Sequence, residues 1–169
     1  MAAYSDLDPV DAAIVRELAA DARIANNVLA ARVGIAPSTC HGRVRSLFER
    51  GVIRGVHADV DQAKVGRPLQ AMIAVRLRPE ARSHLGAFAH AMAALPEVLN
   101  VYFLAGADDF LLQVATAGSD ELREFVVHHL SGSKDVAMTE TSLIFEHLRG
   151  QPAEGDSGSA GRKARRAKG

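Results

Sequence analysis

Residues 37–51 have the sequence PSTCHGRVRSLFERG. Proline suits the first turn of a helix and glycine the position after its end, so the stretch predicts a helix from Pro37 to about Arg50. At about 3.6 residues per turn, Cys40, Val44 and Leu47 form one narrow apolar stripe that would face a core. We therefore expect Cys40 to be a small buried hydrophobic residue, without a catalytic or metal-binding role.

Two further helices are predicted before this one. Asp8 followed by Pro9 is a typical helix start, and apolar residues then recur at helical spacing as far as Ala20. Asn26 or Asn27 can cap a second helix, which Gly34 would end because glycine accepts a left-handed backbone. Two helices joined by a short glycine turn predict a helix-turn-helix.

The residues after the third helix are rich in β-formers. Residues 52–60 contain four valine or isoleucine residues around a central Gly55, and we predict a two-stranded wing there. Residues 61–68 contain Gly66 and Pro68 and are predicted to be a linker. The helix-turn-helix and its wing would then occupy residues 1–60.

The second half alternates between strand and helix patterns. Residues 71–77, 98–104, 110–116 and 136–148 have the composition of strands, while 81–95 and 119–130 have helical spacing. The order strand, helix, strand, strand, helix, strand is ferredoxin-like, which makes residues 69–150 an α+β domain. Met72 and Ala74 make the second face of the first strand apolar as well, so we expect that face to be covered.

Composition narrows the class of protein. The chain has 169 residues, 20 basic against 20 acidic side chains and one cysteine, which is a globular composition without a disulfide framework. It has no apolar run long enough to cross a membrane and no secretory signal, so we expect a cytoplasmic protein. Residues 151–169 carry five basic and two acidic residues and no large apolar one, and they predict a disordered basic tail.

Several short motifs appear together in a fixed order. They are Leu7-Asp8 with Asp11, Ile14 and Leu18; the stretch 29–35; Pro37-Ser38-Thr39-Cys40 with Arg43, Val44 and Leu47; Gly51-Val52-Ile53; Leu95-Pro96-Glu97-Val98; Gly106 with Asp109-Phe110; and Thr139 with Thr141-Ser142. In this order they resemble the leucine-responsive regulatory protein (Lrp/AsnC) family. The resemblance implies a winged helix-turn-helix joined to a ferredoxin-like domain of the RAM or ACT-like type.

The resemblance also implies partners. Members of this family bind double-stranded DNA, form dimers that often assemble into tetramers or octamers, and many respond to an amino acid held between subunits. We therefore expect a transcriptional regulator with an amino-acid effector and no cofactor. Ala36 and Gly42 depart from the family pattern, which leaves the preferred DNA sequence open.

A helix inserted in the major groove reads base edges with its exposed face. Arg45 is the best candidate for a base contact, because its planar fork can pair with guanine. Phosphate contacts or helix orientation are the expected roles of Ser38, Thr39 and Arg43, and Arg54 on the wing would reach the DNA backbone. The predicted DNA-binding residues are Ser38, Thr39, His41, Arg43, Arg45 and Arg54.

An amino-acid effector needs an acceptor for its ammonium group and donors for its carboxylate. Gly106 permits close approach of the backbone, and Asp108 and Asp109 supply carboxylates in the same loop. Thr141 and Ser142 supply hydroxyl groups. The alternative is that Asp109 caps a turn and Thr141 merely favours a strand.

Two alternative functions and a metal site remain to be considered from the sequence. A nucleoid-organising protein of low sequence specificity would share the fold, and the basic tail favours that reading slightly. A sirohaem-type decarboxylase of the same architecture would need a cationic pocket, whereas residues 68–150 are predominantly acidic, so we expect no enzyme and no catalytic residue. The seven histidines have no recognisable metal-ligand spacing, and no metal site is predicted.

Overall fold

The computed structural model describes residues 7–148. They divide into two compact units, 7–58 and 59–148, with the division between Ala58 and Asp59. Within this part of the chain, no helix is long and apolar enough to span a membrane.

The first unit contains three helices, α1 (Pro9–Ala20), α2 (Asn26–Val33) and α3 (Pro37–Glu49). The start of α1 is confirmed, because the Asp8 carboxylate accepts a hydrogen bond from the Val10 amide at 2.7 Å. The glycine turn is confirmed as well, with Gly34 left-handed at φ 73°.

The cap predicted for α2 is wrong. Its N-cap is Ala25, and no side chain caps the helix. The two asparagines are used otherwise: the Asn26 amide donates to the Pro37 carbonyl at 2.9 Å, and the Asn27 side chain accepts from the Val28 amide. Asn26 therefore ties the start of α2 to the start of α3.

A small apolar core joins the three helices. Ile14 of α1, Leu29 and Ala30 of α2, and Cys40 and Leu47 of α3 are buried together. Cys40 is fully buried, and burial raises the pKa of its thiol because the thiolate would lose its solvation. The prediction that Cys40 is a small buried residue of the core is confirmed.

The predicted two-stranded wing is wrong. The structure describes no strand among residues 51–68; residues 54–60 run without regular structure, and Val56 and Val60 are exposed. A tight hairpin needs a central residue with positive φ, and Gly55 does not have one. Ile53 is anchored through its amide to the Leu47 carbonyl at 3.1 Å and through its packing on the core.

The second unit has the predicted ferredoxin-like order. Its elements are β1 (Leu69–Leu77), a 3₁₀ turn (Pro79–His84), α4 (Leu85–Ala93), β2 (Val98–Phe103), β3 (Phe110–Thr116), α5 (Ser119–Phe125) continued by a π turn (Val126–Ser131), and β4 (Val136–Ile144). The four strands form one antiparallel sheet in the order β2-β3-β1-β4. The last strand ends at Ile144, four residues earlier than predicted.

One face of the sheet carries the core of this unit. Ile73 lies opposite Leu112, and with Val75 and Phe110 it packs against the helices. The other face carries Met72, Ala74, Leu111, Tyr102 and Met138, because residues directly opposite in register share a face. The second face is therefore partly apolar, as its sequence predicted.

Replacing either of two glycines of the first unit with alanine should change the free energy of unfolding, in opposite directions at the two positions. Gly34→Ala places a side chain at positive φ and should lower the free energy of unfolding by about 1 kcal/mol. Gly42→Ala, inside α3 with open space around it, should raise it by about 1 kcal/mol. Urea denaturation followed by circular dichroism measures both, and equal signs would contradict the assigned backbone conformations.

Candidate DNA interface and effector loop

The exposed face of α3 carries three of the predicted DNA-binding side chains. Ser38, His41 and Arg45 are exposed and lie on the side of the helix opposite its buried stripe. The Arg45 side chain is 73% exposed. Its Nε atom forms an ion pair with Oε1 of Glu49, one turn further along the helix, at 3.3 Å. A surface pair of this kind contributes little to stability, so the guanidinium can exchange this partner at little cost.

Thr39 and Arg54 are exposed as well, but in different settings. Thr39 lies in the first turn of α3, about a quarter turn from Ser38. Arg54 belongs to the segment that follows α3 and lines the same cavity as His41. The structure therefore brings Arg54 close to the exposed face of α3, although the wing itself is not formed.

Arg43 is held in an ion-pair cluster. Its guanidinium contacts the Asp11 carboxylate at 2.8 Å and Asp8 at 3.5 Å, and Arg50 contacts the second oxygen of Asp11 at 3.1 Å. The Asp11 side chain is 8% exposed, whereas Arg43 and Arg50 keep 34% and 47% of their side-chain surface. We call these four residues the Asp11 cluster.

The Asp11 cluster fixes α3 against the start of α1. The amide of Val10 and the guanidinium of Arg43 hold the pKa of the Asp8 carboxyl below its ordinary value. The pKa of Arg43 is raised by the hydrogen bond to Asp11. The predicted phosphate contact of Arg43 stays a prediction, and the structure adds a positioning role within the protein.

Sequence reasoning missed Asp11 and Arg50. Asp11 belongs to the first sequence motif, with Leu7-Asp8, Ile14 and Leu18, but no site role is predicted for it. A stronger signal was present: Asp11 precedes the buried Ile14 by three residues, so it lies on the inward face of α1. Arg50 follows Arg43 by seven residues, two helical turns, and this spacing places both arginines on one side of α3.

The loop between β2 and β3 is built around Asp109. Its carboxylate accepts from the Leu77 amide at 2.8 Å and lies 3.3 Å from the Arg82 guanidinium. Its amide donates to the Val75 carbonyl, and its carbonyl accepts from the Leu104 amide. Asp109 therefore closes the turn and joins it to β1, as the alternative interpretation expected.

The neighbouring loop residues differ from Asp109. Asp108 is partly exposed and pairs with Arg76 at 3.3 Å, while Gly106 is exposed. Both loop carboxylates thus have an arginine partner. An ammonium group approaching this loop would have to compete with Arg76 or Arg82.

The two predicted hydroxyl groups do not meet at one site. Thr141 lies opposite Ile73 on the core face of the sheet, and Ser142 lies opposite Met72 on the other face. Moreover, β1 separates β4 from β3 and the loop before it. One copy of the chain therefore does not bring Gly106, Asp108 and Asp109 together with both Thr141 and Ser142.

Potential metal ligands are not grouped in the described chain. Between residues 7 and 148, no three histidine, cysteine or acidic side chains are arranged to hold a metal ion.

The fold defines the class of protein: a helix-turn-helix unit followed by a ferredoxin-like unit. Family models match both parts: the AsnC-type helix-turn-helix domain at residues 7–47 and the Lrp/AsnC ligand binding domain at 70–153. The HTH-type transcriptional regulator AldR of Mycobacterium tuberculosis is 56% identical over 146 residues, which are 86% of this chain and 82% of the relative.

Solved structures agree with these matches. The AldR crystal structure superposes with a TM-score of 0.78 and 49% identity, covering 87% of this chain and 97% of AldR. A Neisseria meningitidis transcriptional regulator in complex with L-methionine gives 0.76 and 28% identity, covering 89% and 97%. The chain belongs to the Lrp/AsnC family: it is a transcriptional regulator with a DNA-binding helix-turn-helix and not an enzyme.

Removing the central carboxylate should destabilise the first unit. Asp11→Ala leaves Arg43 and Arg50 without their shared acceptor, and we expect a loss of roughly 2 kcal/mol in the free energy of unfolding. Glu17→Ala is the matched control, since its pair with Arg32 at 2.7 Å is exposed and should be worth less than about 1 kcal/mol. Equal losses in urea denaturation would refute the special role of Asp11.

Proposed function

We propose that this protein is a sequence-specific DNA-binding regulator whose binding or assembly responds to an amino acid or a related small molecule. The observation that carries the first part is the exposed face of α3. Ser38, His41 and Arg45 are presented to solvent, while the opposite side of the same helix is fixed by a buried stripe and by the Asp11 cluster. A rigid helix with a free polar face suits the major groove.

The roles of the side chains follow from their chemistry. Arg45 pairs with a guanine through its fork, and His41 contacts a neighbouring base edge. Ser38, Thr39 and Arg54 contact phosphates and set the register of the helix, with Arg43 at the edge of the same surface. Genomic DNA is the partner, so the protein acts in the cytoplasm.

Arg45→Ala should weaken binding to an operator fragment by roughly 1–3 kcal/mol and reduce the preference at one base position. Arg123→Ala, which removes an exposed arginine from α5 in the other unit, is the charge-matched control and should change affinity far less. Fluorescence anisotropy at fixed salt measures both variants. An unchanged operator affinity in folded Arg45→Ala would exclude Arg45 as a base-reading residue.

The effector part of the proposal has two supports. The ligand binding domain model covers the second unit, and the L-methionine complex shows that a structural relative binds an amino acid. One copy of the chain does not bring the Gly106–Asp109 loop together with Thr141 and Ser142. We therefore place the effector site between two copies of the chain. The loop from Gly106 to Asp109 of one copy would then receive the ammonium group, with Asp108 exchanging Arg76 for it.

Calorimetric titration with each of the twenty amino acids tests the effector. We expect one or a few to bind, and Asp108→Asn to weaken that binding by about tenfold because a charged acceptor is lost. Asp120→Asn, on the exposed first turn of α5, is the control and should bind as the unchanged protein does. Absence of binding by every amino acid would refute the amino-acid effector.

We also propose that the protein is a homo-oligomer, at least a dimer, and that higher states such as a tetramer or an octamer are built from it. The support is the face of the sheet that carries Met72, Leu111, Tyr102 and Met138, over which no described helix of the unit packs. Apolar surface of this kind gains stability when a second copy covers it.

Met138→Glu should shift the association equilibrium towards the monomer, because it places a charge in the apolar face. Val127→Glu is the control: both side chains are 47% exposed, but Val127 lies on the helical side of the unit. Sedimentation velocity across a concentration series measures the shift. Equal association of both variants would show that this face is not the interface.

A further inference from the structure

The first unit contains a cavity that the DNA-binding function does not require. It has a volume of about 880 Å³ and lies between the second half of α1, the start of α2, α3 and the segment at residues 52–57. Its walls are mostly apolar, and the larger side chains are Leu18, Ile24, Val44, Phe48 and Val56. The volume lies within the range of small-molecule sites in proteins, about 300–1,000 Å³.

The polar lining of this cavity includes one side chain that carries a permanent charge, the guanidinium of Arg54. Asn26, His41, Arg54 and His57 supply its polar side chains, and within residues 7–148 no aspartate or glutamate lines it. The Asn26 amide is already bound to the Pro37 carbonyl. What remains available is one guanidinium with two imidazoles, which together favour an anionic group.

The segment that holds Arg54 and His57 is closely packed on itself. A Cβ atom built at Gly55 would lie 2.7 Å from the Nε2 atom of His57, so the ring lies directly against the glycine. A side chain at residue 55 would displace the imidazole from this position. The lack of a side chain at residue 55 therefore allows His57 to lie against the backbone next to Arg54.

We propose that this cavity binds a small amphipathic organic anion, with its apolar body against Leu18, Val44 and Phe48 and its acidic group at Arg54. This is a second ligand site, within the DNA-binding unit and separate from the effector loop of the other unit. It binds by burial of apolar surface together with one charge-assisted contact.

The site also has a consequence that rests on the proposed DNA binding. His41 and Arg54 belong both to the cavity lining and to the surface proposed to contact DNA. An anion bound at Arg54 occupies a group that a phosphate would otherwise use, so anion and DNA should compete. A ligand at the effector loop has no such shared residue.

The probe for the test is anilinonaphthalene sulfonate, an aromatic anion whose fluorescence rises in apolar surroundings. Phenylnaphthylamine has nearly the same ring system without the sulfonate and serves as the uncharged control. The full-length protein should bind the sulfonate at one site and the amine more weakly. Arg54→Gln should remove most of the difference between the two probes.

The variants that fill the cavity are chosen outside the DNA-binding residues. Ala19→Phe adds a ring to the wall of the cavity, whereas Ala20→Phe adds the same ring at the next position, which does not line it. Ala19→Phe should weaken sulfonate binding by at least about tenfold and Ala20→Phe should not. Ala22→Phe, also on the wall, repeats the test if Ala19→Phe does not fold.

Two results would overturn the proposal. One is the absence of sulfonate binding at protein concentrations where the oligomer is complete, which would indicate that a second copy covers the cavity. The other is equal binding by Ala19→Phe, Ala22→Phe and Ala20→Phe. Displacement of the probe by an operator fragment tests the competition separately; a protein that binds the probe at the cavity but no DNA would refute the proposed function and leave the cavity site standing.

Discussion

The DNA-binding unit depends on a pair of ion-pair contacts that share one carboxylate. The carboxylate of Asp11 is buried at the start of α1 and contacts both Arg43 and Arg50 of α3. The apolar stripe of α3 buries Cys40 and Leu47, but apolar packing is not directional and tolerates small rotations of the helix. A buried carboxylate is costly without its partners, so α3 must keep both arginines beside it. The helix is thereby fixed in rotation, which determines where Arg45 points.

The second unit uses a carboxylate in the same way. Asp109 connects the loop before β3 to the end of β1 through the Leu77 amide and to the 3₁₀ turn through Arg82. Its neighbour Asp108 is paired only with Arg76 and is more accessible. The two adjacent acids therefore differ: Asp109 maintains the fold of the loop, and under the proposed function Asp108 is the acid that would exchange Arg76 for a ligand.

Much of the fold follows from periodicity. The spacing of Val44 and Leu47 predicted the buried side of α3, and proline and glycine marked its ends. The predicted wing at residues 52–60 is not formed, because β-forming residues make a hairpin only around a suitable turn, and Gly55 does not make one. The sequence alone predicts that Thr141 and Ser142 lie on opposite faces of the sheet, since adjacent residues of a strand face opposite sides. The sequence also places Arg50 on the same side of α3 as Arg43, but the contact of Arg50 with Asp11 depends on how α1 and α3 pack, which periodicity does not give.

A binding selection from fragmented genomic DNA is the most direct test of whether this chain recognises particular DNA sequences. The selected fragments are then titrated with salt, with and without pooled amino acids. A sequence-specific regulator that responds to an amino acid should select a few DNA sites. The affinity for these sites should fall steeply with salt and shift when the amino acid is present. Uniform, salt-sensitive binding without enrichment would contradict sequence-specific regulation and favour a protein that organises DNA, and no binding at low salt would contradict the DNA interface on α3.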